Sequence, residues 1–200
     1  MKQIVPIVEG DGEVDAFPVL LRRLAAWMTP EKLVNIAYPI RVRRDRFLNR
    51  HEEFHRQLLL AASKCGGDGW IVILLDADDD CPVSRAAEIF QRAQAVIPHQ
   101  PLSVVLANRE YEAWFIAAAD SLNGQRGCDA RHDCPADPDT VRGAKEWISK
   151  HLPPGRKYYE KADQPAFSQR MDLDLAIRNS RSFRKLCEEW QRQIGQDSPS

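Results

Sequence analysis

Surplus charge of either sign is missing from this sequence: 28 Lys and Arg stand against 29 Asp and Glu, a formal net charge of −1. Bulk attraction to nucleic acid is thereby excluded as an argument, and any such binding must rest on local patches. Long apolar runs are missing too. The six residues Trp70 to Leu75 fall far short of the ~20 that a helix needs to cross a bilayer, so no membrane role is expected. The amino terminus offers one Lys and a short apolar stretch ending at Glu9, without the small residues of a cleavage site. No signal peptide is expected, and the cytoplasm is the expected compartment.

Cysteine is sparse and irregular. Cys65, Cys81, Cys128, Cys134 and Cys187 are odd in number and fit reduced thiols, not a disulfide framework. A Walker A string is absent, which argues against nucleotide hydrolysis by this chain alone. Gly10-x-Gly12 lacks the third glycine of a dinucleotide loop, and Glu9, Asp11 and Glu13 around it would repel a pyrophosphate. Internal repeats and low-complexity tracts are also lacking.

What is present is an alternation of short β-branched runs and helical periodicity. Apolar content of 44% over 200 residues supports one α/β domain, with or without a small helical extension. Strands are expected at Ile4–Val8, Asn35–Val42, Trp70–Leu75 and Pro101–Ala107. Helices are expected at about 13–28, 51–63, 82–96 and 110–122. Gly, Cys, Asp and Pro from 123 to 139 suggest a surface loop. Helices are then expected at about 139–151, 166–179 and 183–194, with an irregular linker at 153–161 and a frayed end at 196–200. The fold class that follows is α/β: a mainly parallel sheet of about four strands, helices on both faces, and a helical C-terminal extension. Residues 1–122 would form the α/β domain and 123–200 the loop and helical extension packed on it.

Two acidic clusters stand where apolar strands end. Val8 runs into Glu9-Gly10-Asp11-Gly12-Glu13, and Leu75 runs into Asp76-Ala77-Asp78-Asp79-Asp80. In open α/β sheets the site lies beyond the carboxyl ends of the strands, so both clusters should meet at one edge. Carboxylates gathered there repel one another unless a hard cation sits among them. Asp76 and Asp78, two apart in an extended segment, should face the same side, and Asp80 by the same spacing. Any single acidic residue of this kind also serves simply to cap or flank a helix. The coincidence after two strands is what points to Mg²⁺ or Mn²⁺.

These residues resemble the Toprim fold, the metal-binding domain of topoisomerases, primases and overcoming-lysogenization-defect nucleases, with Glu9 and Asp76-Ala77-Asp78 in its metal-binding positions. A longer resemblance is to small stand-alone bacterial Toprim-like proteins, often encoded beside ATPases. It is carried by Val8–Glu13, Asp76–Asp78, Asn108–Phe115, Lys157–Lys161 and Ser180–Leu186. The resemblance implies Mg²⁺-dependent phosphodiester hydrolysis of DNA or RNA in defence or repair, with an ATPase partner. It implies Glu9 as ligand or general acid/base, Asp76 and Asp78 as ligands, Glu13 near a second ion, and Glu112 as the further acidic residue. Glu112 reads equally well as a charge favoured by a helix amino terminus.

Basic residues supply local patches. Arg41, Arg43, Arg44 and Arg46 form one, which is either a phosphate contact or a solvated face. Lys157 and Lys161 flank two tyrosines, an arrangement suited to phosphate contact and base stacking by Tyr158. Either lysine would also stabilise charge developing on a transferring phosphate. Cys128, His132 and Cys134 fit no zinc signature, and His51-Glu52-Glu53-Phe54-His55 matches a metalloprotease string without a third ligand. The competing function is a non-catalytic module that binds metal or nucleic acid and regulates a partner. A haloacid-dehalogenase-like phosphatase ranks last, because that chemistry needs an Asp nucleophile where strand one ends in Glu9.

Overall fold

The computed structural model describes residues 1–195. Strands β1 (Lys2–Val8), β2 (Val34–Ile36), β3 (Ile40–Arg41), β4 (Trp70–Asp76) and β5 (Leu102–Ala107) form one parallel sheet. The order is β2-β1-β4-β5, and β3 pairs further along the same edge of β1 as β2. A parallel sheet must be covered on both faces, and the strand residues divide accordingly. Ile4, Val8, Trp70, Val72 and Leu74 face one layer; Val5, Ile7, Ile71, Ile73 and Leu75 face the other.

The second layer holds α2 (Arg44–Asn49), α3 (His51–Cys65) and α4 (Pro82–Val96). The first holds α1 (Asp11–Met28), α5 (Ala113–Ala117), α6 (Ala144–Lys150), α7 (Glu160–Arg170), α8 (Leu173–Asn179) and α9 (Arg181–Trp190). Phe17 and Leu21 of α1 share one apolar cluster with Phe167 of α7 and Trp190 of α9. Trp190 meets Trp70 edge to face at 5.8 Å and donates to Thr29 Oγ1 at 3.1 Å. The helical extension is thus built into the core of the sheet's first face.

Several elements differ from expectation, each for a local reason. The single strand expected at 35–42 is two short ones, because Pro39 between them has no N–H to give the ladder. The basic run 41–46 is the end of β3 and the start of α2, a helix too short and charged to show a period. The helix expected at 110–122 is five residues of α5 followed by a 3-10 turn at Ala119–Leu122. The segment 123–139 is irregular but not superficial: Cys128, Ala130 and Asp139 are buried. The helix expected at 139–151 shortens to α6. The one expected at 166–179 is two helices, α7 and α8, since Asp172 caps α8 by accepting from Leu175 N at 3.0 Å. The last expected helix begins two residues earlier, as α9, and ends in a π turn at Gln191–Gly195. The expected fraying of 196–200 falls outside the described residues.

Helices α1 and α7 close together at Gly12, where a Cβ would run into the Gln164 side-chain oxygen and meet Glu160 Cβ at 3.1 Å. Gly12→Ala is expected to destabilise by about 1–3 kcal/mol through this overpacking, read as a lower midpoint in urea unfolding.

From β1 the chain steps out to β2 and β3, then crosses back to β4 on the other side of β1. The carboxyl ends of β1 and β4 therefore flank the topological switch point, where α/β sheets bind ligands.

Candidate functional site

Six elements, α7 with Glu160 and Gln164 among them, deliver polar side chains to that point. β1 ends one residue before Glu9. In the first turn of α1, Glu13 folds back so that its Oε2 accepts from the backbone N–H of Glu9 at 3.1 Å and of Gly10 at 2.7 Å. An acceptor at the third helical position satisfies these two donors, neither of which a side chain at Gly10 itself would reach. β4 ends at Asp76, whose Oδ1 accepts from Tyr111 N at 2.8 Å. Beyond β5, Glu112 is buried, and its Oε1 accepts from Tyr158 Oη at 2.9 Å and Gln164 Nε2 at 3.1 Å. From α6, Lys145 reaches Glu160 Oε1 at 2.5 Å.

Burial and mutual repulsion hold protons on these carboxyls. Glu9 is raised to about 7, first by burial and then by Glu13, with Arg44 opposing. Glu112 is also pushed to about 7 by burial, against the pull of Lys145. Asp76 lies well above the usual carboxylate range, through burial and then the charges of Glu13, Glu112 and Glu9. Burial likewise raises Glu13, although its two backbone hydrogen bonds work the other way. Burial alone would lower Lys145, but Glu112, Glu160 and Asp76 outweigh it and hold the ammonium charged. Two buried acceptors in this region, Glu9 Oε2 and Gln164 Oε1, have no hydrogen-bond donor among the described residues. Acceptors without donors among repelling carboxyls define a place for positive charge.

The remaining expected residues spread around this centre. Asp78 follows the strand in a turn with φ 50°, so the alternation that would align it with Asp76 stops at Ala77. Its carboxylate pairs with Arg44 Nη1 at 3.3 Å, although it lies close enough to Glu9 to raise that group. Asp80 is bound by Arg44 Nη2 at 2.7 Å and faces Arg85. Of the basic run, Arg44 is thus committed to the second acidic cluster and Arg41 to Asp11 at 2.9 Å, while Arg43 and Arg46 are exposed. Lys157 and Lys161 are exposed, the latter 3.7 Å from Asp11. Tyr158 turns inward, its ring stacked on Phe167 and its hydroxyl on Glu112, so the exposed ring of the pair is Tyr159. The rings of His51 and His55 lie tilted against each other, their centroids 3.9 Å apart. Among the described residues, no group of three or more His, Cys, Asp or Glu is arranged to hold a metal ion.

Sequence reasoning missed Lys145, Glu160 and Gln164, which no local spacing connects to Glu9 or Asp76. It also missed what fixes the Tyr158 segment. Buried Asp163 accepts from Tyr159 N at 2.8 Å and from Arg156 Nη2 at 2.6 Å, and pairs with Arg126.

The model of a family described as a domain of unknown function, DUF4276, matches residues 8–190. The chain belongs to that family. No match was found among curated proteins or solved structures. The DUF4276 match begins at the end of β1 and ends with α9, so it takes in every residue of the acidic centre and the C-terminal helices that enclose it.

The turn at Glu13 in this DUF4276 chain can be separated from the chemistry around it. Glu13→Ala leaves two backbone N–H groups unpaired and is expected to cost about 1–2 kcal/mol in denaturant unfolding. Glu13→Gln keeps an acceptor and should recover most of that loss.

Proposed function

We propose that this DUF4276 chain hydrolyses phosphodiester bonds in nucleic acid with the help of Mg²⁺ or Mn²⁺, as the Toprim-type nucleases it resembles at Glu9 and Asp76-Ala77-Asp78 do. The observation that carries the reading is the convergence of Glu9, Glu13, Asp76 and Glu112 at the switch point, with raised proton affinities and an unpartnered Glu9 oxygen. The donor set consists of hard oxygens, which suits these ions. Mg²⁺ commonly takes one or two carboxylates and completes its shell with water and substrate phosphate, so a three-residue cage is not required. Glu9 and Asp76 are the residues that would hold it, with Glu13 and Asp78 beside them. A bound ion would polarise a phosphoryl oxygen and lower the pKa of a water.

The chain's own residues do the rest. Glu112, with a pKa of about 7, can hold or release a proton near neutrality while Tyr158 and Gln164 fix its carboxyl. Lys145 offsets negative charge from within. Arg41, Arg43, Arg46, Lys157 and Lys161 at the rim would meet backbone phosphates. Control by an ATPase partner in defence or repair rests on the family resemblance alone. The engagement of Asp78 and Asp80 by Arg44 favours a second reading, a non-catalytic module that binds metal or nucleic acid and regulates a partner.

Incubation of supercoiled plasmid, single-stranded DNA and RNA with Mg²⁺, Mn²⁺ or chelator separates the two. Cleavage that needs the metal and falls about 100-fold or more in Glu9→Gln supports the nuclease. Absence of cleavage under every condition, with nucleic-acid binding retained, favours the module. Cleavage unchanged in Glu9→Gln would remove this site from the reaction.

A further inference from the structure

Strand β5 is the last in the sheet, and no other described strand pairs with its outer edge. The register with β4 fixes which groups are left over. Pro101 and Ala107 turn their carbonyls inward to Ile71 N and Ala77 N, so the odd-numbered residues serve β4. Leu102, Val104 and Leu106 therefore turn their N–H and C=O groups outward. A groove of about 840 Å³ runs along this edge, between α4 on one face of the sheet and α9 on the other. Proteins ordinarily cover or blunt such an edge, since it is a template for another strand.

The two walls differ in chemistry. On the α4 side lie Val83, Ala86, Ala87 and Phe90, and Val83 is 79% exposed. On the α9 side lie Arg181, Arg184, Lys185 and Arg192. Against these four cations the groove lining carries three acidic residues, Asp139, Glu188 and Glu189. Glu189 is occupied by Lys185, Arg192 and Ser103, Arg181 meets Asp137, and Asp139 is buried under Ser180 and Ser182. Glu188 is exposed beside them.

We infer that this groove docks one extended segment of a partner protein, which adds to β5 as a further strand and alternates apolar with acidic side chains. Main-chain hydrogen bonds to Val104 and Leu106 would supply affinity, and the walls would supply specificity. Side chains of a strand alternate between faces, so apolar residues meet α4 and acidic ones meet the α9 cations. A second copy of this chain is the poorer occupant. Edge-to-edge pairing about a two-fold axis normal to the sheet sets α9 against α9 and its cations against themselves.

The probe is a labelled acetyl-(Val-Glu)4-amide peptide, followed by fluorescence anisotropy and by hydrogen exchange of the full chain. Binding should slow exchange at Val104 and Leu106, and should weaken at least ten-fold for (Val-Lys)4 and for the Val83→Glu and Arg181→Glu proteins. N-methylation of one alternating set of peptide residues should abolish binding, while N-methylation of the other set spares it. Four results overturn the inference: no binding, indifference to peptide charge, indifference to N-methylation of either set, or self-association that Val83→Glu disrupts.

Discussion

Asn in place of Asp76 is expected to raise stability and remove activity together. The substitution keeps size and keeps the oxygen that accepts from Tyr111 N. It deletes a carboxyl that burial and Glu13, Glu112 and Glu9 all push toward neutrality. A group held there for folding would lose stability on replacement. A group held there against its own electrostatics should release strain instead, by about 1–2 kcal/mol, or a few degrees in melting temperature for a chain of this size. The same change should lower metal-dependent cleavage by about 10²–10⁴-fold, the range typical of losing a group that acts directly in the reaction. Asp79→Asn is the control, because Asp79 is exposed and paired with Arg109 and Arg142, and a solvent-screened surface pair of that kind contributes little. A lower melting temperature for Asp76→Asn would make Asp76 a structural carboxyl and undo the argument from repulsion.

The parallel sheet was legible in the sequence for a simple reason. Strands buried on both faces read as unbroken apolar runs, and Ile4–Val8 and Trp70–Leu75 each run into an acidic residue at the strand's carboxyl end. The same logic located Glu9 and Asp76, each at a strand's carboxyl end. Asp78 shows where it stops: beyond Ala77 the chain enters a turn, and a period of two no longer predicts direction. Tyr158 failed differently. Its neighbours Lys157 and Tyr159 are exposed, but Asp163 anchors the segment so that this one ring faces Glu112. Lys145 and Gln164 were invisible because Glu112, the buried carboxyl both of them face, stands far from each in the chain, a relation only tertiary packing creates. The charge on α9 and the apolar face of α4 each read as ordinary helix surface. Only the sheet order, which leaves β5 at the edge between them, gives the pair a meaning.

Without added metal, the protein should be most stable near pH 5 and lose stability as the pH rises to about 7.5. Glu9 and Glu112 titrate near 7 when folded and near the ordinary ~4.3 when unfolded. Between those values the folded state binds more protons, so the unfolding free energy falls with rising pH and levels off above about 7. Glu112 is well enclosed and should contribute on the order of 2–3 kcal/mol across that window. The partly exposed Glu9 should contribute nearer 1 kcal/mol once solvent screening is allowed for. Asp79 and Glu189 have lowered values, and what they contribute is lost only on acidification below the ordinary carboxylate range. A divalent cation at the centre would compete with the same protons. Saturating Mg²⁺ or Mn²⁺ should therefore restore the melting temperature at about pH 7.5 and do little at about pH 5, and Glu9→Gln should blunt the restoration. Thermal melts across that range, with and without metal, read all three effects. If the cation stabilises equally at both ends, or equally in Glu9→Gln, it binds somewhere other than among these carboxyls. If stability instead climbs steadily from pH 5 to 7.5, the cluster is not held against its charge, and the case for a cation there loses its physical ground.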